Sequence, residues 1–427
     1  MSPGLPCYTY IEMPANIAAF TPNIGQLADS RGVRECLQWF TREKQWINET
    51  HLALCRVPAP TFVEHERAAW MQQQFRSMGC DVAIDRAGNV VASPGSLDDG
   101  PYVALTAHLD TVIAPRSKED IAVDDQGRFR GPGVSDNGAG LTALLAVARA
   151  LKSCPPLEDP VSALLLVANV GEEGEGNLSG MRHLCKQSPW ARKIGAFVVV
   201  DGANIEHITT RALGSRRFEI TFSGPGGHSW SDYGVGNPVH ALARAVALFS
   251  DTRLNGSPKS SFNVGVIEGG SSVNAIPQTA RAKIDIRSES NPKMDELVEI
   301  LAAAVDRARD AENQRASTGK VTARLREIGS RPAALLSENA RILAYIRAVD
   351  AHLGVRSHAD CSSTDANIPL SLGLPAIAIG AGGSGGGAHT SQEWYKPEGR
   401  DLGLKRILLT LLLLQRDPYT PPAGNGE

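Results

Sequence analysis

The amino-acid sequence predicts an α/β fold in which helices flank a mainly parallel sheet and a smaller β-α-β-β-α-β domain is inserted. Three observations support this prediction. Continuous apolar runs alternate with helical stretches, which is typical of strands that helices cover on both faces. The pattern of the elements changes near Ala212. With 427 residues, the chain is also too long for a single compact core.

The larger domain is predicted from strands and helices that alternate along the chain. Residues 1 to about 35 show no clean period and are expected to form a loosely packed extension. Two helical stretches follow up to Met78, interrupted by the prolines of RVPAP (56–60). The remaining elements are the strands NVVASPG (89–95), YVALTAH (102–108), VSALLLVAN (161–169), AFVVVDG (196–202) and LPAIAIG (374–380), the helix AGLTALLAVARALKS (139–153), a helix from about Ser179 and a C-terminal helix.

The segment after Ala212 reads as a second, self-sufficient unit. Its order is strand, helix, two strands, helix and strand, which is the split βαβ arrangement. We therefore predict a larger domain made of residues 1–211 and 331–427, with residues 212–330 inserted between them. Such an insertion is physically easy because the two ends of a surface loop lie close together.

Composition and charge exclude several classes of protein. The net charge of −3 gives no reason to expect nucleic acid or an anionic membrane as a partner. Seven cysteines without a CxxC motif favour free thiols in a reducing cytosol. No basic segment followed by an apolar run opens the chain, and ILLTLLLL (407–414) is far shorter than the ~20 residues of a membrane span. We therefore expect a cytoplasmic protein.

Side chains with metal-binding chemistry follow the predicted strands of the larger domain. In open α/β sheets, ligands bind outside the carboxyl ends of the strands. Any one such residue is more often structural or solvated, but their recurrence at consecutive strand ends favours a common site. The candidates are His108, Asp110, Asp136, Glu172, Glu173, Asp201 and His389.

The chemistry of these residues points to divalent metal ions. Imidazole and carboxylate ligands suit zinc, cobalt or manganese. Two divalent ions are favoured over one, because their four positive charges are balanced by Asp136, Glu173, Asp201 and a bridging hydroxide. Glu172 is then free to act as the general base on the bridging water. Asp110 lies two positions from the imidazole of His108 on an extended strand and is expected to orient it.

Seven motifs, taken together, resemble a known family. They resemble the co-catalytic dinuclear zinc exopeptidases and deacylases, which include peptidase T, glutamate carboxypeptidase, acetylornithine deacetylase and succinyl-diaminopimelate desuccinylase. The resemblance covers roughly residues 45–415 and implies a zinc exopeptidase-like fold whose inserted domain is a lid and dimerisation domain. The motifs are AHLDTV (107–112), GPGVSDNGAG (131–140), GEEGEGNLSG (171–180), VVVDG (198–202), GPGGHSW (224–230), SVNAIPQTARAKIDIRS (272–288) and GGGAHTSQEW (385–394).

The resemblance also implies roles for the site residues of the larger domain. His108 and Asp201 would hold one metal ion, Glu173 and His389 the other, and Asp136 would bridge both. Glu172 would be the general base and Asp110 the residue that orients His108.

Further roles are implied for the inserted domain. His228 would stabilise the oxyanion, usually from the partner subunit of a homodimer. Asn274 and Arg287 would contact substrate, with the arginine paired to a substrate carboxylate. Taken without the resemblance, structural roles are favoured for both lid residues: His228 would cap a glycine-rich turn, and Arg287 would be an exposed strand residue paired with Asp285 or Glu289.

Departures from the family pattern bear on the choice of subfamily. Gly138 stands where the family usually has lysine, and Gly171 stands where aspartate is common. The segment SSTDANIPLSLGLPAIAI (362–379) resembles the peptidase T branch, with Thr364 and Asp365 at a substrate-facing position. This feature favours a peptide substrate, because Asp365 could accept a free α-amino group.

We therefore predict a metal-dependent hydrolase that cleaves an amide or peptide bond in short peptides through a metal-bridged hydroxide. The favoured form is an aminopeptidase- or tripeptidase-like exopeptidase with two divalent ions per chain, most simply zinc. An N-acyl amino acid deacylase is the alternative within the same chemistry. A non-catalytic peptide-binding protein on the same scaffold is an alternative of a different class.

Overall fold

The computed structural model describes residues 24–98, 100–156, 162–254 and 256–416. Its helices are α1 (Ile24–Asp29), α2 (Arg31–Arg42), α3 (Lys44–Cys55), α4 (His65–Ser77), α5 (Gly138–Ser153), α6 (Ser179–Lys186), α7 (Pro238–Ser250), α8 (Asn291–Arg315), α9 (Arg341–Leu353), α10 (Asn367–Ser371) and α11 (Arg400–Arg416).

The strands are β1 (Asp81–Ile84), β2 (Val90–Ser93), β3 (Tyr102–His108), β4 (Ala122–Val123), β5 (Phe129–Arg130), β6 (Ala163–Asn169), β7 (Ile194–Val200), β8 (His207–Ala212), β9 (Gly214–Ser223), β10 (Gly227–His228), β11 (Ser260–Gly269), β12 (Ala275–Ile276), β13 (Thr279–Ser288), β14 (Thr322–Arg331), β15 (Ala334–Leu335), β16 (His358–Ser362), β17 (Ala376–Ile379), β18 (Ser384–Gly386) and β19 (Trp394–Lys396).

A large mixed sheet forms the centre of the molecule. Its strand order is β1-β2-β6-β3-β7-β17-β8-β15, and β16 pairs with β8 as well. The central strands β6, β3, β7 and β17 are parallel to their neighbours in this group, whereas β1 and β2 pair antiparallel at one edge. The predicted fold class is therefore confirmed, with a parallel centre and antiparallel edge pairings.

The apolar runs predicted as strands are buried as expected. All residues of β3, β7 and β17 are buried, as are all but the first residue of β6. Helices α5 and α11 pack against β3, and α9 packs against α11 and β17. Burial of this kind on both sides of a strand explains why its sequence is a continuous apolar run rather than an alternating one.

A separate four-stranded antiparallel sheet has the order β11-β13-β9-β14. Helices α7 and α8 pack against its strands and against each other. The chain order β9, α7, β11, β13, α8, β14 is the predicted β-α-β-β-α-β series, with the short β10 and β12 pairing beside it. We call this four-stranded sheet with α7 and α8 the lid sheet and lid helices.

Two hydrophobic clusters match this division. One is built on the large sheet and its helices, and the other lies between the lid sheet and the lid helices. The exact limits of 212 and 330 for the inserted domain stay a prediction, with which the two separate clusters agree.

The expectation of a loosely packed N-terminal extension is wrong for residues 24–35, which are helical and partly buried. Helix α1 begins at Ile24 and α2 at Arg31, and both contribute buried side chains, among them Leu27 and Val33. Because α1 is only six residues long and a single serine separates it from α2, the hydrophobic period of the two helices is not evident in the sequence. Residues 1–23 lie outside the described residues.

Two further expectations concern the C-terminal helix and the thiols. Helix α11 buries the whole run Ile407–Leu414, as predicted. Within the described residues, no helix is long and apolar enough to cross a membrane. The six cysteines in the described part of the chain are free thiols.

Candidate metal centre

The carboxyl ends of three neighbouring parallel strands carry the central residues of the site. His108 is the last residue of β3, Glu172 and Glu173 follow β6, and Asp201 follows β7. Since β3 pairs in parallel with both β6 and β7, these ends meet at one edge of the sheet. The convergence expected from the sequence is present in the fold.

Asp136 lies between the two histidines of the site. Its Oδ1 is 3.1 Å from Nε2 of His108, and its Oδ2 is 3.1 Å from Nε2 of His389. Nε2 of His389 is also 2.8 Å from Oε1 of Glu173. On the other side, Nε2 of His108 is 3.9 Å from Oδ1 of Asp201. One carboxylate thus faces two histidines, each of which has a further carboxylate beside it.

The donor atoms fit divalent cations. Ligand atoms of His108, Asp136 and Asp201 lie within 4.8 Å of one another, and so do those of Asp136, Glu173 and His389. Nitrogen and oxygen donors in such groups suit zinc and related ions. A third group of His108, Glu172 and Glu173 meets the same criterion, so distance alone leaves Glu172 open as a ligand.

The electrostatics of the cluster also favour a bound cation. Burial, reinforced by the Asp136 carboxylate, raises the pKa of Asp201 to about 7. The carboxylates of Asp136 and Glu173 accept hydrogen bonds from His389 and raise its pKa to about 10. Burial opposes the charged form of His108, yet the Asp110 and Asp136 carboxylates raise its pKa well above the usual value. The cluster therefore draws positive charge towards its carboxylates, as a divalent cation site must.

Asp110 organises the loop that carries the two glutamates. Its buried carboxylate accepts hydrogen bonds from the backbone N–H groups of Glu172, at 3.0 Å, and Glu173, at 2.9 Å. The Thr61 hydroxyl donates to the same carboxylate at 2.9 Å. Nδ1 of His108 is 2.9 Å from the main-chain oxygen of Asp110 and 3.5 Å from its carboxylate. The orienting role expected of Asp110 stays a prediction, and its closer contact with the imidazole is through the main chain.

Glu393 is a site residue that the sequence did not reveal. The residue is 3 % exposed, and its carboxylate accepts hydrogen bonds from the backbone N–H groups of Gly133, Ser135 and Asp136, at 2.7, 2.8 and 2.8 Å. These bonds fix the loop that presents Asp136 to the histidines. The only signal in the sequence is the position of Glu393 four residues after His389, within the motif HTSQEW.

Arg331 is a second residue that was missed. Its Nη1 donates to Oε1 of Glu172 at 2.9 Å and to the Ser363 hydroxyl at 3.1 Å, and its Nη2 donates to the main-chain oxygen of Glu172. Burial raises the pKa of Glu172 well above its usual value, while the Arg331 guanidinium acts in the opposite direction. Arg331 is the last residue of β14, so it ties the end of the lid sheet to Glu172.

The two predicted residues at the tip of the lid lie away from this cluster. His228 is exposed in β10, which pairs with β12, and the Ser229 N–H donates to the main-chain oxygen of Asn274 at 2.9 Å. Neither His228 nor Asn274 lines the two cavities beside the metal-site residues. His228 and Asn274 are thus neighbours of each other and not of the candidate metal ligands in the same chain.

The remaining predicted substrate residues differ in placement. Arg287 lines a cavity beside the metal-site residues and donates to Asp285 at 2.6 Å. Thr364 is 5 % exposed and lines a second cavity. Asp365 is only 1 % exposed, accepts a hydrogen bond from Nδ2 of Asn169 at 2.6 Å and lines neither cavity, so the structure does not bring it to the expected substrate-facing position.

Parts of the chain are similar in sequence to known peptidases. Residues 211–312 match the family described as "Peptidase dimerisation domain", and residues 89–228 match "Peptidase family M28". A probable carboxypeptidase of Aspergillus clavatus is 30 % identical over 243 residues, which is 52 % of each chain. A succinyl-diaminopimelate desuccinylase of Pseudomonas syringae pv. syringae is 24 % identical over 60 % of this chain and 71 % of its own.

The chain is thus similar in sequence to peptidases and to desuccinylases. Its match spans about half the length of the Aspergillus carboxypeptidase. Among solved structures, a tripeptidase of Staphylococcus aureus subsp. aureus Mu50 superimposes with a TM-score of 0.70 at 21 % identity, covering 88 % of this chain and 99 % of the other. At this identity, the likeness shows that the two chains share a fold. The family resemblance indicated by the motifs is confirmed.

Proposed function

We propose that this protein is a metal-dependent hydrolase that cleaves an amide or peptide bond in short peptides, as an aminopeptidase- or tripeptidase-like exopeptidase. The observation that carries the proposal is the position of Asp136 between His108 and His389, with one oxygen 3.1 Å from each imidazole. That arrangement is suited to a carboxylate shared by two divalent ions.

Five residues would hold the ions: His108 and Asp201 on one side, Glu173 and His389 on the other, and Asp136 between them. Zinc fits this set of nitrogen and oxygen donors, and cobalt or manganese could take its place. When bound, such ions polarise a scissile carbonyl and lower the pKa of a coordinated water.

The remaining chemistry belongs to the chain itself. Glu172 accepts a proton from the attacking water and returns it to the leaving amine. Two hydrogen bonds hold Glu172 in place for both transfers: Arg331 donates to its carboxylate, and its backbone N–H donates to the carboxylate of Asp110. His228 donates to the oxyanion that forms on the carbonyl oxygen as water adds to the carbonyl carbon, and Arg287 pairs with a carboxylate of the substrate.

An N-acyl amino acid deacylase is the second candidate. It is favoured by the similarity to a succinyl-diaminopimelate desuccinylase, which removes an acyl group according to its name. The two candidates differ in the group that supplies the scissile carbonyl. In a peptide substrate it is an aminoacyl residue with a free α-amino group, and in an N-acyl amino acid it is an uncharged or acidic acyl group.

A hydrolysis screen separates these functions. We expect the protein supplied with zinc, cobalt or manganese to cleave free di- and tripeptides at least about tenfold faster, in kcat/KM, than their N-acetylated forms, since a site that pairs with a free α-ammonium group discriminates against substrates that lack it. Product amino acids are measured by chromatography. Cleavage of N-acyl amino acids alone would instead identify the deacylase, and tight peptide binding without cleavage would identify a binding protein.

We further propose a homodimer in which the lid of one subunit completes the site of the other. His228 is exposed and does not line the cavities of its own chain. Large apolar side chains near it are exposed as well, with Trp230 at 86 %, Tyr233 at 82 % and Val273 at 103 %. An exposed apolar surface of this kind is typical of a protein interface, and the match to a peptidase dimerisation domain supports a second copy as the partner.

Subunit complementation tests this arrangement. Dimers of Glu172→Gln and of His228→Ala should each be inactive, and co-expression with two different tags should yield mixed dimers. In a two-fold dimer with His228 acting on the other subunit, one of the two sites in each mixed dimer is intact, so equal mixing restores about a quarter of wild-type activity. If tag-purified mixed dimers remained inactive, His228 would act within its own chain.

A further inference from the structure

Two cavities adjoin Asp136 and Asp201, and they differ in the rest of their lining. The first has a volume of about 370 Å³ and is lined by Glu172, Glu173 and His389 together with three arginines; we call it the arginine cavity. The second has a volume of about 330 Å³ and is lined by residues of the Gly-rich loop 385–387 and by Asp360; we call it the acidic cavity. Asp136, Asp201 and Ser362 line both.

Two of the three arginines in the arginine cavity share one counterion. Nε of Arg217 is 3.2 Å from Oδ1 of Asp285, and Nε of Arg287 is 2.6 Å from Oδ2 of the same carboxylate. Arg217 lies directly opposite Asp285 on the neighbouring strand, and Arg287 lies two residues further along, so the three side chains share one face of the lid sheet. Two guanidinium groups against one carboxylate leave a net positive charge.

The third arginine does not add to this charge. Arg331 is paired with Glu172 at 2.9 Å, and both side chains are 6 % exposed. Its guanidinium is therefore already neutralised, whereas Arg217 and Arg287 are 21 % and 39 % exposed and remain accessible. Among the three arginines of the cavity, the donor groups that a ligand can reach therefore belong to Arg217 and Arg287 on the lid sheet.

The acidic cavity has the opposite character. Among the described residues that line it, none is a lysine or an arginine. Asp360 is 45 % exposed, its Oδ1 accepts the N–H of Cys361 at 2.7 Å, and its Oδ2 is 3.6 Å from Nδ1 of His207, beyond hydrogen-bonding distance. Ser362 and Thr364 line the same cavity. One carboxylate oxygen thus remains available to a cationic group.

The position of Glu172 indicates which cavity would bind the amino-terminal part of a peptide substrate and which would bind the carboxyl-terminal part. Glu172 lines the arginine cavity and not the acidic one. Because the general base returns its proton to the leaving amine, the leaving group must lie on the side of Glu172. The carboxyl-terminal part of a peptide therefore lies in the arginine cavity, and the amino-terminal part lies in the acidic cavity.

We propose that the substrate is a short peptide with both ends free, its α-ammonium group bound by Asp360 and its carboxylate held between Arg217 and Arg287. The proposal rests on the proposed function and adds two specificity-determining residues, Asp360 and Arg217. Both cavities are at the low end of the ~300–1,000 Å³ typical of ligand pockets, which suits a di- or tripeptide. An N-acyl substrate would leave Asp360 without a cation.

The test uses one tripeptide in four forms: free, N-acetylated, C-amidated and blocked at both ends. Dissociation constants are measured by calorimetry in the Glu172→Gln background with metal supplied, and KM values are measured with Glu172 intact.

Arg217→Met should weaken binding by roughly 10- to 100-fold for peptides with a free carboxylate and leave the amidated forms unchanged, because a charge-assisted hydrogen bond is lost. Asp360→Asn should do the same for peptides with a free amino group and leave the N-acetylated forms unchanged.

Matched controls separate recognition from structure. Arg217 also contacts the main-chain oxygen of Gly174, so Lys283→Met, which removes the neighbouring 2.8 Å ion pair with Glu175 between the lid sheet and the same loop, serves as its control. Glu206→Gln, at an exposed residue next to His207, is the control for Asp360. Arg217→Lys, which keeps the charge and loses the forked donor, covers the case in which Arg217→Met fails to fold.

The outcomes distinguish this proposal from the proposed function. Losses of affinity that are the same for free and blocked peptides would overturn the assignment of Arg217 and Asp360 while leaving the hydrolase intact. The end-specific losses in binding, found together with no cleavage by the metal-supplied wild type, would support the two-ended site and contradict the hydrolase.

Discussion

Replacing Glu172 with glutamine should lower kcat by roughly 10²- to 10⁴-fold, the usual contribution of a general acid–base residue. The glutamine keeps the shape of the side chain and can still contact Arg331, but it cannot accept the proton of the attacking water. Because Oε1 of Glu172 is held by Arg331 at 2.9 Å, we expect the metal ligands to be unaffected. Metal content per chain, measured by mass spectrometry, should therefore equal that of the wild type.

The neighbouring Glu175 supplies the control for this experiment. It lies on the same loop, is 58 % exposed and pairs with Lys283, so Glu175→Gln changes the charge of the loop without touching the cavity beside Asp136. Near-normal hydrolysis by the Glu172→Gln protein would show that another group is the base. A loss of bound metal would show that Glu172 is a ligand, an outcome that its distances to His108 and Glu173 allow.

The position of the candidate metal centre could be predicted because it depends on local features of the sequence. The apolar runs of β3, β6 and β7 mark buried parallel strands, and His108, Glu172 and Asp201 stand at or just after their ends. A parallel sheet brings such ends to one edge whatever the rest of the chain does. The charge balance among the carboxylates then points to divalent ions.

The supporting residues could not be predicted because their burial depends on distant partners. Glu393 accepts three N–H groups from a loop more than 250 residues earlier, and Arg331 reaches Glu172 across 159 positions. A single glutamate or arginine in a polar segment normally predicts a solvated side chain. The error for Asp365 has a similar cause, since its neighbour Thr364 lines a cavity while Asp365 turns inward to Asn169.

Replacing Asp136 with asparagine should abolish hydrolysis and most metal binding together. Its two oxygens face His108 and His389, so the loss of its charge weakens both halves of the centre at once. The backbone N–H of residue 136 keeps its hydrogen bond to Glu393 in this variant, so the loop should remain in place. The wild type should gain stability when divalent metal is added, by about 2.7 kcal/mol at one hundred times the dissociation constant, and the variant should gain almost none.

Thermal unfolding with and without zinc measures this difference. Without metal, the Asp136→Asn protein should be less stable than the wild type at neutral pH, because hydrogen bonds with His108 and His389 outweigh burial and hold the pKa of the Asp136 carboxyl well below its usual range. Asp360→Asn is the matched control, since Asp360 lines the acidic cavity without belonging to the ligand groups, and its metal-dependent stabilisation should be that of the wild type. An unchanged metal response in Asp136→Asn would mean that the cations bind elsewhere, and the proposed centre would be wrong.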